Sequence, residues 1–290
     1  MDIDVIISEV RAGDLQTVCR QGRQHRHDRE AVVFLHGNPG SGEDWTDLLV
    51  ALAPMGRVVA LDMPGFGRAD KPRQYRYSVA SGAQFLALAL QNLGIDRAHL
   101  VLHDFGGLWG LHWAASNLEK VASITLVNTG LLMGYKWHAL ARFWRTPILG
   151  ELQWMLTNRS AFHRVIRRGC PRGLPDAFVN RMYDDLDKGT RHAILKLYRS
   201  TGDISRQSEL LADRLGDLDV PVLVIWGAAD PYLPARYAHM QKDIFRRARI
   251  VMLPGSGHFP FADHPQAFLD AVVPFLGALL PHKGMKSSAS

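Results

Sequence analysis

Cysteine is scarce in this chain: Cys19 and Cys170 are the only two in 290 residues. Two thiols cannot build the bridge framework on which small secreted domains depend, so a reducing intracellular setting is the expectation. Long apolar runs are missing as well. No uninterrupted stretch nears the roughly 18 residues that a bilayer-spanning helix needs. The start, Met1-Asp2-Ile3-Asp4, has neither the basic region nor the apolar region of a secretory leader. These absences predict a cytoplasmic protein without membrane insertion. Charge of one sign is also in short supply, since 34 Lys and Arg against 28 Asp and Glu leave a net +6. That excess is small for the length. The basic segments Arg20 to Arg29, with His25 and His27, and Arg164 to Arg168 lack the aromatic interleaving of a nucleic-acid surface and read as solvated faces. Metal-ligand spacing is absent despite 13 His, and Gly65-Phe66-Gly67 does not follow a strand as a dinucleotide fingerprint would. Neither a metal nor a cofactor is expected. What remains is ordinary: 47% hydrophobic and 21% charged residues exclude a disordered chain.

Six short apolar runs each end in a glycine-bearing or polar loop. Ala31 to Leu35 leads to His36-Gly37-Asn38-Pro39, Arg57 to Leu61 to Asp62-Met63-Pro64-Gly65, and His99 to Leu102 to His103-Asp104-Phe105-Gly106-Gly107. Ser123 to Val127 leads to Asn128-Thr129-Gly130, Val222 to Trp226 to Gly227-Ala228-Ala229-Asp230-Pro231, and Arg249 to Leu253 to Pro254-Gly255-Ser256-Gly257-His258. Near-continuous apolar strands belong to a parallel sheet covered on both faces. Helical stretches such as Ser81 to Leu93 and Gly107 to Ser116 alternate with them. A doubly wound sheet binds ligands at the carboxyl ends of its strands, where all of these loops fall. Val5 to Val10 and Leu15 to Arg20 read as an antiparallel hairpin ahead of the parallel part. The rhythm breaks between about Leu131 and Leu215, a helical, aromatic-rich stretch with no strand pattern. The expected division is therefore a core of 1–130 and 216–290 with a helical cap, 131–215, inserted into it.

The segment His103-Asp104-Phe105-Gly106-Gly107 has the form of a nucleophile elbow, a sharp strand-to-helix turn that presents one side chain at a helix N-terminus. That side chain is usually serine; here it is Asp104. A carboxylate needs no base to become a nucleophile. It displaces a leaving group from an sp3 carbon and forms an ester that water must then hydrolyse. Hydrolysis calls for a base, His258, and a carboxylate to orient it, Asp230. Asn128, after the intervening strand, occupies another position for the acid and is not a carboxylate, which favours Asp230. Backbone N–H groups of Phe105 and Asn38 are the candidates for an oxyanion hole. His36 begins the same loop, counted with the substrate-binding set but read as a loop-former, as is Asp62. His103 reads as a hydrogen-bonding neighbour of the nucleophile rather than a base.

Taken in order, the HGNP loop, Asp62 to Pro72 (DMPGFGRADKP), HDFGG, GAADP and GSGHFP resemble the Asp-nucleophile branch of the α/β-hydrolases, which contains epoxide hydrolases and haloalkane dehalogenases. The resemblance covers nearly the whole chain. It implies an α/β fold with a mostly parallel eight-stranded sheet and a helical cap. It also implies a small apolar substrate, either an epoxide or a haloalkane, and a monomer or homodimer. Epoxide hydrolases of the family protonate the departing oxygen with cap tyrosines, and Tyr198 in Leu197-Tyr198-Arg199 stands in the comparable place. No tyrosine accompanies Trp154, where a second would be expected; Tyr135, Tyr183 and His138 are the other candidates. Dehalogenases instead use a tryptophan after the nucleophile and an asparagine in the HGNP loop. Here Asn38 is present but Phe105 follows the nucleophile, leaving Trp109, Trp137, Trp144 or Trp154 to replace the lost donor. The residues favour epoxide hydrolysis, with dehalogenation second. A third reading, from another class, is a ligand receptor on the same fold; the Asp104, Asp230 and His258 set argues against it.

Overall fold

The structure, a computed structural model, describes residues 5–24 and 27–280. His25 of the basic segment and the Met1–Asp4 start lie outside the described residues. The hairpin is present and longer than the pattern suggested. β1 (Val5–Ala12) pairs antiparallel with β2 (Leu15–Gly22), down to Ala12 opposite Leu15. Gly13, at φ +63°, makes the two-residue turn that brings them so close. The remaining strands are β3 (Glu30–Leu35), β4 (Arg57–Leu61), β5 (Arg97–His103), β6 (Val121–Val127), β7 (Val222–Gly227) and β8 (Ala248–Leu253). The sheet order is β1-β2-β4-β3-β5-β6-β7-β8, parallel from β4 through β8 and antiparallel only where β2 joins its neighbours.

Central strands show why the apolar runs are continuous rather than alternating. Val32, Val33 and Phe34 are all fully buried, so both faces of β3 are covered. Helices α1 (Thr46–Leu52), α2 (Val79–Asn92) and α3 (Phe105–Ala115) lie among the first six strands. Ser78 caps α2 by accepting the Ser81 N–H, so that helix begins two residues before the predicted Ser81. Helix α3 likewise begins at Phe105 rather than Gly107, because its first turn is built directly on the elbow. Between β6 and β7 come six helices: α4 (Ala139–Arg145), α5 (Leu149–Leu156), α6 (Arg159–Arg168), α7 (Asp176–Asp184), α8 (Lys188–Ser200) and α9 (Ile204–Leu215). These six helices occupy the stretch expected as a cap. α10 (Arg236–Ile244), α11 (Pro260–Asp263) and α12 (Pro265–Gly277) complete the chain. Among the described residues no helix is long and apolar enough to cross a membrane, and no His, Cys, Asp and Glu group is arranged to hold a metal ion.

Candidate active site

Asp104 sits between β5 and α3 with φ 47° and ψ −119°, a backbone that L residues seldom adopt. Such strain persists only where the surroundings enforce it. Here two close approaches do so. A Cβ on Gly106 would meet the Leu35 carbonyl oxygen at 2.4 Å, and one on Gly107 would meet the Thr129 hydroxyl at 2.1 Å. Only glycine lets α3 start this close to β3 and to the loop after β6.

The Asp104 carboxylate accepts the Asn38 N–H at 2.8 Å, and the neighbouring Phe105 N–H favours its charged form. Its second oxygen lies 3.7 Å from His258 Nε2. Burial raises its pKa above the ordinary carboxylate value, opposed by the His258 charge and those two N–H groups. His258 Nδ1 is 2.7 Å from Asp230 Oδ2. Burial by itself would lower the His258 pKa; the Asp230 carboxylate beside it, with Asp104, outweighs burial and raises the value. Asp230 is held by three further donors. Asn128 Nδ2 donates to it at 2.7 Å, and the N–H groups of Tyr232 and Leu233 at 2.7 and 3.1 Å. Asn128, a poor acid, thus serves as a clamp on the acid, and its own oxygen accepts the Gly227 N–H at 2.9 Å. The His258 N–H donates to the Gly169 carbonyl of the cap at 2.9 Å, while His103 Nε2 bonds the His258 carbonyl at 2.9 Å. His103 therefore braces the His258 loop rather than the elbow, and burial holds its pKa well below the histidine norm.

Above Asp104 the cap leaves two small cavities of about 30 Å³ each. Asp104, His138, Tyr198 and Tyr232 line both. Tyr198, on α8, is fully buried, and its hydroxyl accepts the Asn38 Nδ2 at 3.2 Å. Burial and the nearby Asp104 charge push its pKa well above the phenol norm, so it keeps its proton. His138 caps α4 through Nδ1, which accepts the Ala141 N–H at 3.2 Å. That bond puts the ring hydrogen on Nε2, and burial, with the His258 charge, lowers the pKa to about 4.

Two members of the expected substrate-binding set do not line these cavities. His36 is completely buried; its Nδ1 donates to the Gly37 carbonyl at 2.8 Å and its Nε2 accepts the Met63 N–H at 2.9 Å. Both nitrogens are used in stitching the loops after β3 and β4 together, which excludes substrate contact. Trp154 stacks behind Trp144, ring centres 5.4 Å apart at 11°, so Trp144 is the ring that reaches the cavity wall. Tyr183 packs on Phe162 beneath Arg159 and stays away from Asp104. Tyr135 and Trp137 line the second cavity, and Trp109 is packed against Phe66 and His36. Leu140, Ile166 and Tyr232 were not singled out by sequence. Tyr232 follows Asp230 by two residues, and that proximity was the one available signal.

A family model described as the α/β hydrolase fold matches residues 30–265. The chain belongs to that family, and it is a hydrolase of the α/β class. An uncharacterised protein of Mycobacterium tuberculosis is 31% identical over 267 residues, spanning 87% of this chain and 76% of the relative. A cis-3-alkyl-4-alkyloxetan-2-one decarboxylase of Xanthomonas campestris is 28% identical, over 86% of this chain and 89% of its own. Solved haloalkane dehalogenases and an epoxide hydrolase share the fold. The dehalogenase of Bradyrhizobium elkani superposes with a TM-score of 0.83 at 24% identity, over 95% of this chain and 99% of the other.

Proposed function

We propose that the protein opens an apolar epoxide to a vicinal diol. The observation that carries this reading is the Tyr198 hydroxyl on the wall of the cavity that holds the Asp104 carboxylate, its pKa raised by burial. Because the phenol oxygen accepts from Asn38, its hydrogen remains available to a substrate oxygen. Asp104 attacks a ring carbon, the carbon–oxygen bond breaks, and Tyr198 gives its proton to the departing alkoxide. His258, oriented by Asp230, then takes a proton from water, and the hydroxide attacks the ester carbonyl. The N–H groups of Asn38, already on the Asp104 carboxylate, and of Phe105 hold the oxyanion. Collapse releases the second alkoxide, which takes the His258 proton, and the proton left on the Asp104 carboxyl returns to the Tyr198 oxygen. The Xanthomonas relative is named for a substituted oxetanone, also a strained oxygen ring, in keeping with an oxygen leaving group.

Dehalogenation is the second reading, supported by Asn38 and by the Trp144 Nε1, a buried N–H without a partner in a cavity-lining residue. The two readings separate in a paired assay. Diol from an epoxide panel, with no halide from bromoalkanes, is the expected result; halide release with no diol would reverse the choice.

A further inference from the structure

The exposed apolar side chains of this protein are concentrated in one place. Phe143, Ile148, Leu149, Leu152, Met155 and Leu156 are six of the nine large hydrophobic residues left exposed among those described. Leu149, Leu152 and Leu156 fall at i, i+3 and i+7, so they form one stripe along α5, with Met155 beside it. Ile148, 70% exposed, takes φ +70° at the corner between α4 and α5, which turns a β-branched side chain outward. Solvated apolar stripes of this kind mark a surface that meets something else.

Charge is concentrated in the same segment. Lys136 through Arg172 holds eight basic residues and one acidic, a net +7, whereas the rest of the chain holds 26 basic and 27 acidic, a net −1. The single acid, Glu151, is committed to Arg199. Arg159 and Arg167 pair with Asp184 and Asp176. Lys136, Arg142, Arg164, Arg168 and Arg172 are exposed, and among the described residues none of them has an acidic partner. The same segment lines the first cavity through His138, Leu140, Trp144 and Ile166.

We infer that this face of the cap docks on an anionic lipid bilayer. The apolar stripe enters the headgroup boundary, the arginines meet lipid phosphates, and the pocket wall is set against the membrane. Leucine and methionine side chains suit acyl chains and have no counterpart in a nucleic-acid backbone. A second copy of this chain is the poorer occupant, because a two-fold contact through this patch would set one +7 segment against another. An apolar substrate dissolved in the bilayer would then reach the cavity beside Asp104 from the membrane side.

Flotation of the full chain with vesicles tests this without any reference to catalysis. The protein is expected to float with phosphatidylcholine vesicles containing 30% phosphatidylglycerol and not with phosphatidylcholine alone. Raising the salt to 0.5 M should weaken binding about ten-fold or more, since the attraction is screened. The pair Leu152→Glu and Met155→Glu, and separately Arg142→Glu with Arg164→Glu, should each lower binding by about ten-fold while leaving turnover of a water-soluble substrate unchanged. Absence of binding to the anionic vesicles overturns the inference, as does binding that both variants leave intact. A dimer in light scattering that Leu152→Glu with Met155→Glu dissolves would assign the face to self-association instead.

Discussion

The Asn38 side-chain amide donates to the Tyr198 hydroxyl across 3.2 Å, joining the loop after β3 to cap helix α8 beside Asp104. The main-chain N–H of the same asparagine bonds the Asp104 carboxylate at 2.8 Å. One residue therefore orients both the candidate nucleophile and the candidate proton donor. Their relative position is set by the core and cap together.

Replacing Tyr198 with phenylalanine removes the acid and keeps the ring. Epoxide opening should fall by about 10²–10⁴-fold, the range for loss of a positioned proton donor. Steady-state rates on epoxides, with binding of a diol product as control, check this. An unchanged rate would leave Tyr198 as packing against Phe105, whose ring centre is 4.9 Å away.

The raised His258 pKa fixes the acid limb of the rate profile. Only neutral imidazole can take a proton from water, so activity should fall below a pH that exceeds the ordinary histidine value of 6.5. Asp230→Asn should move that limb to lower pH as well as reduce the rate. Stability follows the opposite sign. A folded pKa above the unfolded one makes the contribution of the pair complete below the unfolded value, and lost as pH rises through the folded value. A pH series of melting temperatures for the wild type and Asp230→Asn should converge at high pH.

Asp104→Asn should abolish turnover, by about 10⁴-fold or more, and raise the melting temperature at neutral pH. Burial lifts the pKa of this carboxylate, so its ionised form works against folding once pH passes the ordinary carboxylate value of 3.8. The stability gained should fade in acid. Calorimetry of both proteins at pH 7 and at pH 3.5 reads the difference directly.

Asn128→Ala tests the clamp. It removes one donor to Asp230 and leaves the buried Gly227 N–H without an acceptor. The expected cost is about 1–3 kcal/mol of stability, measured by denaturant unfolding, together with a weaker His258 base. A loss of stability with an unchanged pH profile would limit Asn128 to a structural role.

The core was readable because its chemistry is written locally. Each apolar run ends at the loop it positions, so Asp104, Asp230 and His258 could be located from strand ends alone, and the structure brings the three side chains together. The cap was not readable in this way. Its helices expose and bury aromatics according to how α4, α5 and α8 pack, so nothing near Trp154 in sequence says that Trp144 stands between it and the cavity. His36 carried the same ambiguity: only the Met63 N–H, 27 residues away, shows that its second nitrogen is engaged. Net charge was the most misleading summary. A value of +6 averages a nearly neutral remainder with one strongly basic segment.

A covalent route through Asp104 is read most directly by a single turnover with enzyme in excess, run in ¹⁸O-labelled water. If Asp104 is the nucleophile, the oxygen added in that first turnover is unlabelled, and mass spectrometry of the peptide around Asp104 finds the label in its carboxylate. Product carrying solvent oxygen from the first turnover, with Asp104 unlabelled, would contradict the covalent route.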